Sequence, residues 1–138
     1  SQNSLPTKGL AFISLKDRHK NEGVDLAKQL IKLGFTLCGT EGTANRIIKN
    51  GIKCKKINKV SGGSPHIIDV LNSKKIALVI NTGGGKRAYR IQDSTSLRRS
   101  TLINKVPYCT NMSTAYAFLE AIKSLKTKKI EVKSLQEI

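Results

Sequence analysis

The stretch LAFISLKDRHKNEGVDLAKQLIKLGFTLC, residues 10–38, carries the clearest signal of the architecture. Its first six residues form an apolar run of a buried strand's length. A polar loop, residues 16–21, follows it. Val24, Ala27, Leu30 and Ile31 then recur at helical spacing, and Gly34 stops that helix. Residues 35–38 are again a strand. Strand, helix and strand in so short a span predict a right-handed βαβ unit within a parallel sheet.

The alternation continues outward from there. Residues 39–43 read as a turn, 44–50 as a short helix ended by Gly51, and 52–57 as a Lys-rich strand suited to a sheet edge. Residues 61–65 are a loop, and Pro65 opens a helix over 66–73. The most apolar strand, 76–80, belongs at the centre. A long loop, 81–93, leads to a helix over 94–105 with Leu97, Thr101 and Leu102 turned inward. Strand 106–109 precedes a terminal helix whose inner face carries Ala115, Phe118, Leu119, Ile122 and Leu125. The expected architecture is α/β, a three-layer α/β/α domain on a five-stranded parallel sheet of flavodoxin or Rossmann type. Its expected limits are a linker over 1–8, the domain over 9–126 and a tail over 127–138.

Composition narrows the function. The 138 residues suit one domain and carry 25 Lys+Arg against 9 Asp+Glu, a net charge of +16. An apolar content of 38% and a mean hydropathy of −0.26 suit a soluble globular chain. No apolar run is long enough to cross a bilayer, and the polar start does not read as a signal peptide. Three scattered cysteines, Cys38, Cys54 and Cys109, suit a reducing cytosol, and neither His19 nor His66 completes a zinc spacing with them. The charge implies an anionic partner.

Parallel sheets bind ligands beyond the carboxyl ends of their strands. The loops on that rim are 16–21, 39–43, 58–64, 81–87 and 110–114. In the second, Gly39-Thr40-Glu41-Gly42-Thr43 offers glycine backbone, two hydroxyls and a helix start to an oxyanion; the plainer reading is a helix cap by Thr43. Lys20 and Lys59 should converge on that turn from the loops after strands one and three. Asn81-Thr82-Gly83-Gly84-Gly85-Lys86-Arg87 follows the central strand. It is neither a Walker A loop nor a convincing dinucleotide fingerprint, but glycine N–H groups with Lys86 and Arg87 suit an anion. No catalytic carboxylate pair, metal set or triad is evident. The residues describe a phosphate-binding domain.

Lys20, Gly39-Thr-Glu-Gly-Thr-Ala44, Asn58-Lys-Val60, Pro65-His-Ile67, Val79-Ile-Asn-Thr82 and Leu97-Arg-Arg-Ser100, in that order, resemble the methylglyoxal-synthase-like domain. Within that superfamily the resemblance is to the C-terminal allosteric domain of the carbamoyl-phosphate synthetase large subunit, over residues 9–126. It implies a UMP or IMP site, with the phosphate on Lys20, Thr40, Thr43 and Lys59. Asn81, Thr82, Gly83, Lys86 and Arg87 then face the sugar and base. UMP commonly inhibits and IMP commonly activates bacterial members. Ornithine acts at a domain boundary near residues matching Tyr108, Cys109 and Thr110; bacterial relatives often have Asp in place of Cys109. The loop after the central strand also departs from the family's Asn-Thr-Thr-x-Gly-Arg.

The resemblance further implies no cofactor in this domain, and a cytoplasmic parent using ATP with Mg or Mn and K for pyrimidine and arginine biosynthesis. Its partners would be the remaining large-subunit domains and a glutaminase small subunit. Two other functions compete. Methylglyoxal synthase shares the phosphate grip, but Ser64 stands where its catalytic carboxylate would be. A non-specific nucleic-acid binder rests on charge alone, in a chain with 4% aromatic residues and no Trp.

Overall fold

The computed structural model describes residues 6, 8–57, 76–82 and 98–136, with side chains in the last helix as far as Lys128. Strand β1 (Gly9–Ser14) runs into a 3-10 turn (Asp17–His19) and helix α1 (Lys20–Lys32). Strand β2 (Phe35–Gly39) leads to α2 (Glu41–Lys49) and a two-residue strand β3 (Lys55–Lys56). Strand β4 (Ile76–Asn81), helical residues 98–103 (α3), strand β5 (Tyr108–Cys109) and helix α4 (Met112–Gln136) complete the described chain.

The sheet has five strands in the order β3-β2-β1-β4-β5, and every pairing is parallel. Helices lie on both sides of it, so the expected three-layer α/β architecture is the observed one. Because successive strand residues face opposite ways, both faces must be apolar. Ala11, Ile13, Leu37, Leu78 and Ile80 join a core with Leu26 and Leu30 of α1, Ile47 of α2 and Ala115, Leu119 and Ile122 of α4. Phe12, Cys38, Ile57, Ile76 and Val79 form a second core on the opposite face.

Gly34, at φ +102°, ends the first helical segment with a backbone conformation that other residues adopt at a cost. A polar seam then fixes α4 on α1. The Tyr116 hydroxyl donates to the Asp25 carboxylate at 2.8 Å, the Lys123 ammonium donates to Gln29 Oε1 at 2.6 Å, and the Lys126 ammonium caps the Leu33 carbonyl. The bond from Tyr116, with a second from Gln29, holds the Asp25 carboxyl below its usual range. No described helix is long and apolar enough to cross a membrane.

Several boundaries differ from expectation. Lys20 does not lie in a loop; it opens α1, because residues 17–19 already coil into a 3-10 turn. The second helix begins at Glu41, not Ala44, so most of the expected turn is its first turn. Among the described residues, the third strand spans Lys55–Lys56 and the fifth Tyr108–Cys109. In α3, Thr101 is buried as expected, but Leu102 is 74% exposed; its neighbour Ile103 is 71% exposed. Adjacent helix positions point about 100° apart, so burying Thr101 turns Leu102 away from the sheet. Helix α4 continues through residues 127–136. The expected helix over 66–73 lies outside the described residues.

Candidate functional site

Strand order places the site. From β1 the chain moves outward through β2 to β3, then returns to β4 on the other side of β1. The order therefore reverses between β1 and β4, and ligands of such sheets sit in the crevice beyond the strand ends at that point. Ser14 ends β1, Gly39 ends β2 and Asn81 ends β4, so all three open onto one rim.

Gly39 brings the α2 helix close to β1. It stands opposite Ile13 in the ladder, and a Cβ there would lie 2.5 Å from the Ile13 carbonyl oxygen. The chain turns directly into Thr40, the N-cap of α2, whose side chain makes no capping bond. The Ala44 N–H to Thr40 carbonyl bond, 2.8 Å, is the first of the helix. The amides of Glu41, Gly42 and Thr43 thus have no acceptor within the helix, and the positive end of its dipole faces the rim.

Lys20 arches over this helix end. Its side chain is only 15% exposed, and Nζ lies 3.0 Å from where a Cβ on Gly42 would be. Glycine at 42 is what leaves room for the ammonium. A cation beside a helix N-terminus is electrostatically unfavourable unless an anion joins them. Here Asp17 supplies one, at 2.6 Å from Lys20 Nζ. The arrangement is suited to holding an oxyanion between an ammonium and helix amides.

The hydroxyls divide by role. Among the described residues, Thr40 Oγ1 makes long contacts, 3.4 Å to Ser14 Oγ and 3.5 Å to Thr43 Oγ1, so it can turn toward a ligand. Thr43 is not the helix cap. Its side chain is 2% exposed and accepts the Leu15 N–H at 3.0 Å, tying α2 to β1. What Thr43 offers the rim is its backbone amide. Thr82 is likewise engaged: its amide bonds the Ser14 carbonyl at 2.9 Å. Its hydroxyl accepts the Lys16 N–H at 3.2 Å and meets His19 Nδ1 at 3.1 Å.

Asn81 Nδ2 donates to the Tyr108 hydroxyl at 3.0 Å, linking β4 to β5, and the Arg98 guanidinium sits 5.6 Å over the Tyr108 ring. Thr110 is exposed just beyond β5. Cys109, by contrast, is 1% exposed and packs in the main core, so its thiol does not reach the rim. Lys59, Gly83, Lys86 and Arg87 lie outside the described residues.

The structure therefore brings Lys20, Thr40 and Thr43 together and sets Asn81 and Thr82 on the neighbouring part of the rim. Sequence reasoning missed Ser14, Asp17 and His19. Ser14 was hidden by reading the first strand to residue 15; ending it one residue earlier places Ser14 on the rim.

Burial pushes the thiols of Cys38, Cys54 and Cys109 up to about 12, 11 and 11 respectively. All three are free and buried, so they should be inert. In the native protein none should react with a thiol reagent at neutral pH within minutes, and unfolding should expose all three. A rapidly reacting native thiol would contradict this packing. Because the folded chain keeps these thiols neutral where unfolded ones ionise, they contribute stability that is present below pH 9 and lost as pH rises toward 11–12.

Comparison with known proteins places this geometry in a family. Residues 22–110 match the MGS-like domain. The chain belongs to the MGS-like domain family. Among curated relatives of this MGS-like chain, the carbamoyl phosphate synthase large chain of Mesorhizobium japonicum is 44% identical over 133 residues, 96% of this chain and 11% of that one. The C-terminal section of the Aquifex aeolicus large chain is 45% identical over 139 residues, 97% of this chain and 26% of that one. The chain thus spans about a tenth to a quarter of the length of these relatives. A methylglyoxal synthase structure from Elizabethkingia anophelis superposes with a TM-score of 0.64 over 83% of this chain and 79% of that one. At 19% identity that likeness shows the shared fold.

Proposed function

We propose that this MGS-like domain is the effector-binding part of a glutamine-hydrolysing carbamoyl phosphate synthase large chain, and that it binds a nucleoside monophosphate such as UMP or IMP. The observation that carries this reading is the Lys20 ammonium held over Gly42 at the uncapped start of α2. A phosphate placed there meets Lys20, the Thr40 hydroxyl and the amides of Glu41, Gly42 and Thr43. Ser14 joins it from the end of β1, and Lys59 is the further phosphate ligand that this reading assigns. The nucleoside then extends across the switch point toward Asn81 and Thr82, and Gly83, Lys86 and Arg87 are the further sugar or base contacts that this reading assigns.

Regulation needs only a differential affinity between two states of the parent, of order 1–3 kcal/mol. The catalytic work, with ATP, Mg or Mn and K, belongs to the rest of the large chain in the cytoplasm, beside a glutaminase small subunit. Carbamoyl phosphate made there feeds pyrimidine and arginine biosynthesis. The surface at Tyr108 and Thr110 is the proposed ornithine side. The chain itself performs no chemistry in this reading.

Calorimetry of the chain with UMP, IMP, uridine and inosine tests it. The monophosphates should bind and the phosphate-free nucleosides should bind at least tenfold more weakly, because the anchor is the charge-assisted phosphate contact. Equal binding of UMP and uridine would remove the phosphate from the anchor. Formation of methylglyoxal and inorganic phosphate from dihydroxyacetone phosphate would favour the enzyme reading instead.

A further inference from the structure

Asp17 is the residue at the anion site that the proposed function leaves without a role. It holds Lys20 Nζ at 2.6 Å, yet its own side chain is 96% exposed, against 15% for Lys20. The two partners of this pair are therefore unequal. The ammonium is fixed between α1 and the start of α2, while the carboxylate reaches it from solvent.

We infer that Asp17 is a built-in, displaceable counter-ion that occupies Lys20 when the site is empty and lowers its affinity for anions. This rests on the phosphate reading of the same site and adds to it the device that sets the affinity. An ammonium facing the positive end of a helix needs a negative neighbour, and Asp17 supplies one intramolecularly. Exposed ion pairs are weak, so a phosphate can compete with the carboxylate for Lys20. An anion that enters competes with this carboxylate for the ammonium and must accept a nearby negative charge. Among the described charged groups, Lys16 and Arg18 flank Asp17 in sequence, Glu22 lies on α1 and Glu41 on α2, and all four are exposed.

The test is a pair of titrations, UMP by calorimetry and sulfate by the amide shifts of Glu41, Gly42 and Thr43, on the wild-type chain and on Asp17→Asn. Sulfate does not titrate near neutrality, so it separates the charge of Asp17 from the protonation of the phosphate. The variant should bind both anions about three- to tenfold more tightly, the size expected when one nearby charge and one exposed pair are removed. The gain should shrink as salt is raised. Asp17→Ser should show the same gain, which guards against an effect peculiar to asparagine at the helix start.

Wild-type binding with unchanged or weaker binding by both variants would overturn the inference while leaving the phosphate site intact. It would make Asp17 a residue that positions Lys20. Absence of binding by wild type and variants alike would overturn the site and the inference together.

Discussion

Lys20→Ala is expected to weaken UMP or IMP binding by about tenfold to a hundredfold, the range of one charge-assisted contact to a desolvated anion, roughly 1.5–3 kcal/mol. The magnitude follows from where the ammonium sits. Its side chain is mostly buried and its Nζ lies over Gly42, so a phosphate at the α2 start meets it without reorganisation. The fold should tolerate the change. Lys20 is the first residue of α1, and its one described ion pair is with exposed Asp17. Calorimetry beside a thermal melt separates the two effects. The affinity should collapse with a melting temperature within a few degrees of wild type, and an unchanged affinity would take Lys20 out of the site.

Gly39→Ala should have the larger effect on stability. Its new Cβ would stand 2.5 Å from the Ile13 carbonyl oxygen, a backbone atom held by the parallel ladder. Gly39 also accepts the Ile57 N–H at 2.8 Å, so β2 cannot shift away without loosening β3. Overpacking against backbone of this kind costs about 2–4 kcal/mol. A melting temperature lower by about 8–15 °C is expected for a chain of this length. Gly42→Ala is the informative contrast. Its Cβ meets only the flexible end of Lys20, at 3.0 Å, so stability should change little. A Gly39→Ala protein as stable as wild type would mean that β1 and β2 are less closely apposed than they are here.

Both predictions concern the same rim, and the sequence exposed its parts unequally. Lys20, Thr40 and Asn81 were legible because they follow strands recognisable from local apolar runs, and parallel topology then sends them to one end of the sheet. Asp17 and His19 were not. Their meaning depends on a 3-10 turn that aims one at Lys20 and the other at Thr82, and no local pattern encodes that aim. Thr43 shows the same limit in reverse. Its residue type suits a helix cap, but the helix starts three residues earlier than its apolar pattern suggested, and the hydroxyl is turned inward onto Leu15. Hydrophobicity alone places Leu102 inward with Thr101, but only Thr101 is buried, its hydroxyl satisfied by the Arg98 carbonyl at 2.7 Å.

Local sequence was enough for the layer architecture, the parallel sheet and the rim at the strand ends, and for proposing an anion as the ligand. These follow from periodicity, glycine punctuation and net charge, which are properties of short segments or of the whole composition. The assembled sheet alone sets how the proposed anion would be met, with a lysine from α1 over a glycine of α2. That depends on distances between segments more than twenty residues apart, fixed by strand register and by the close approach at Gly39, and such distances arise only when the sheet is assembled.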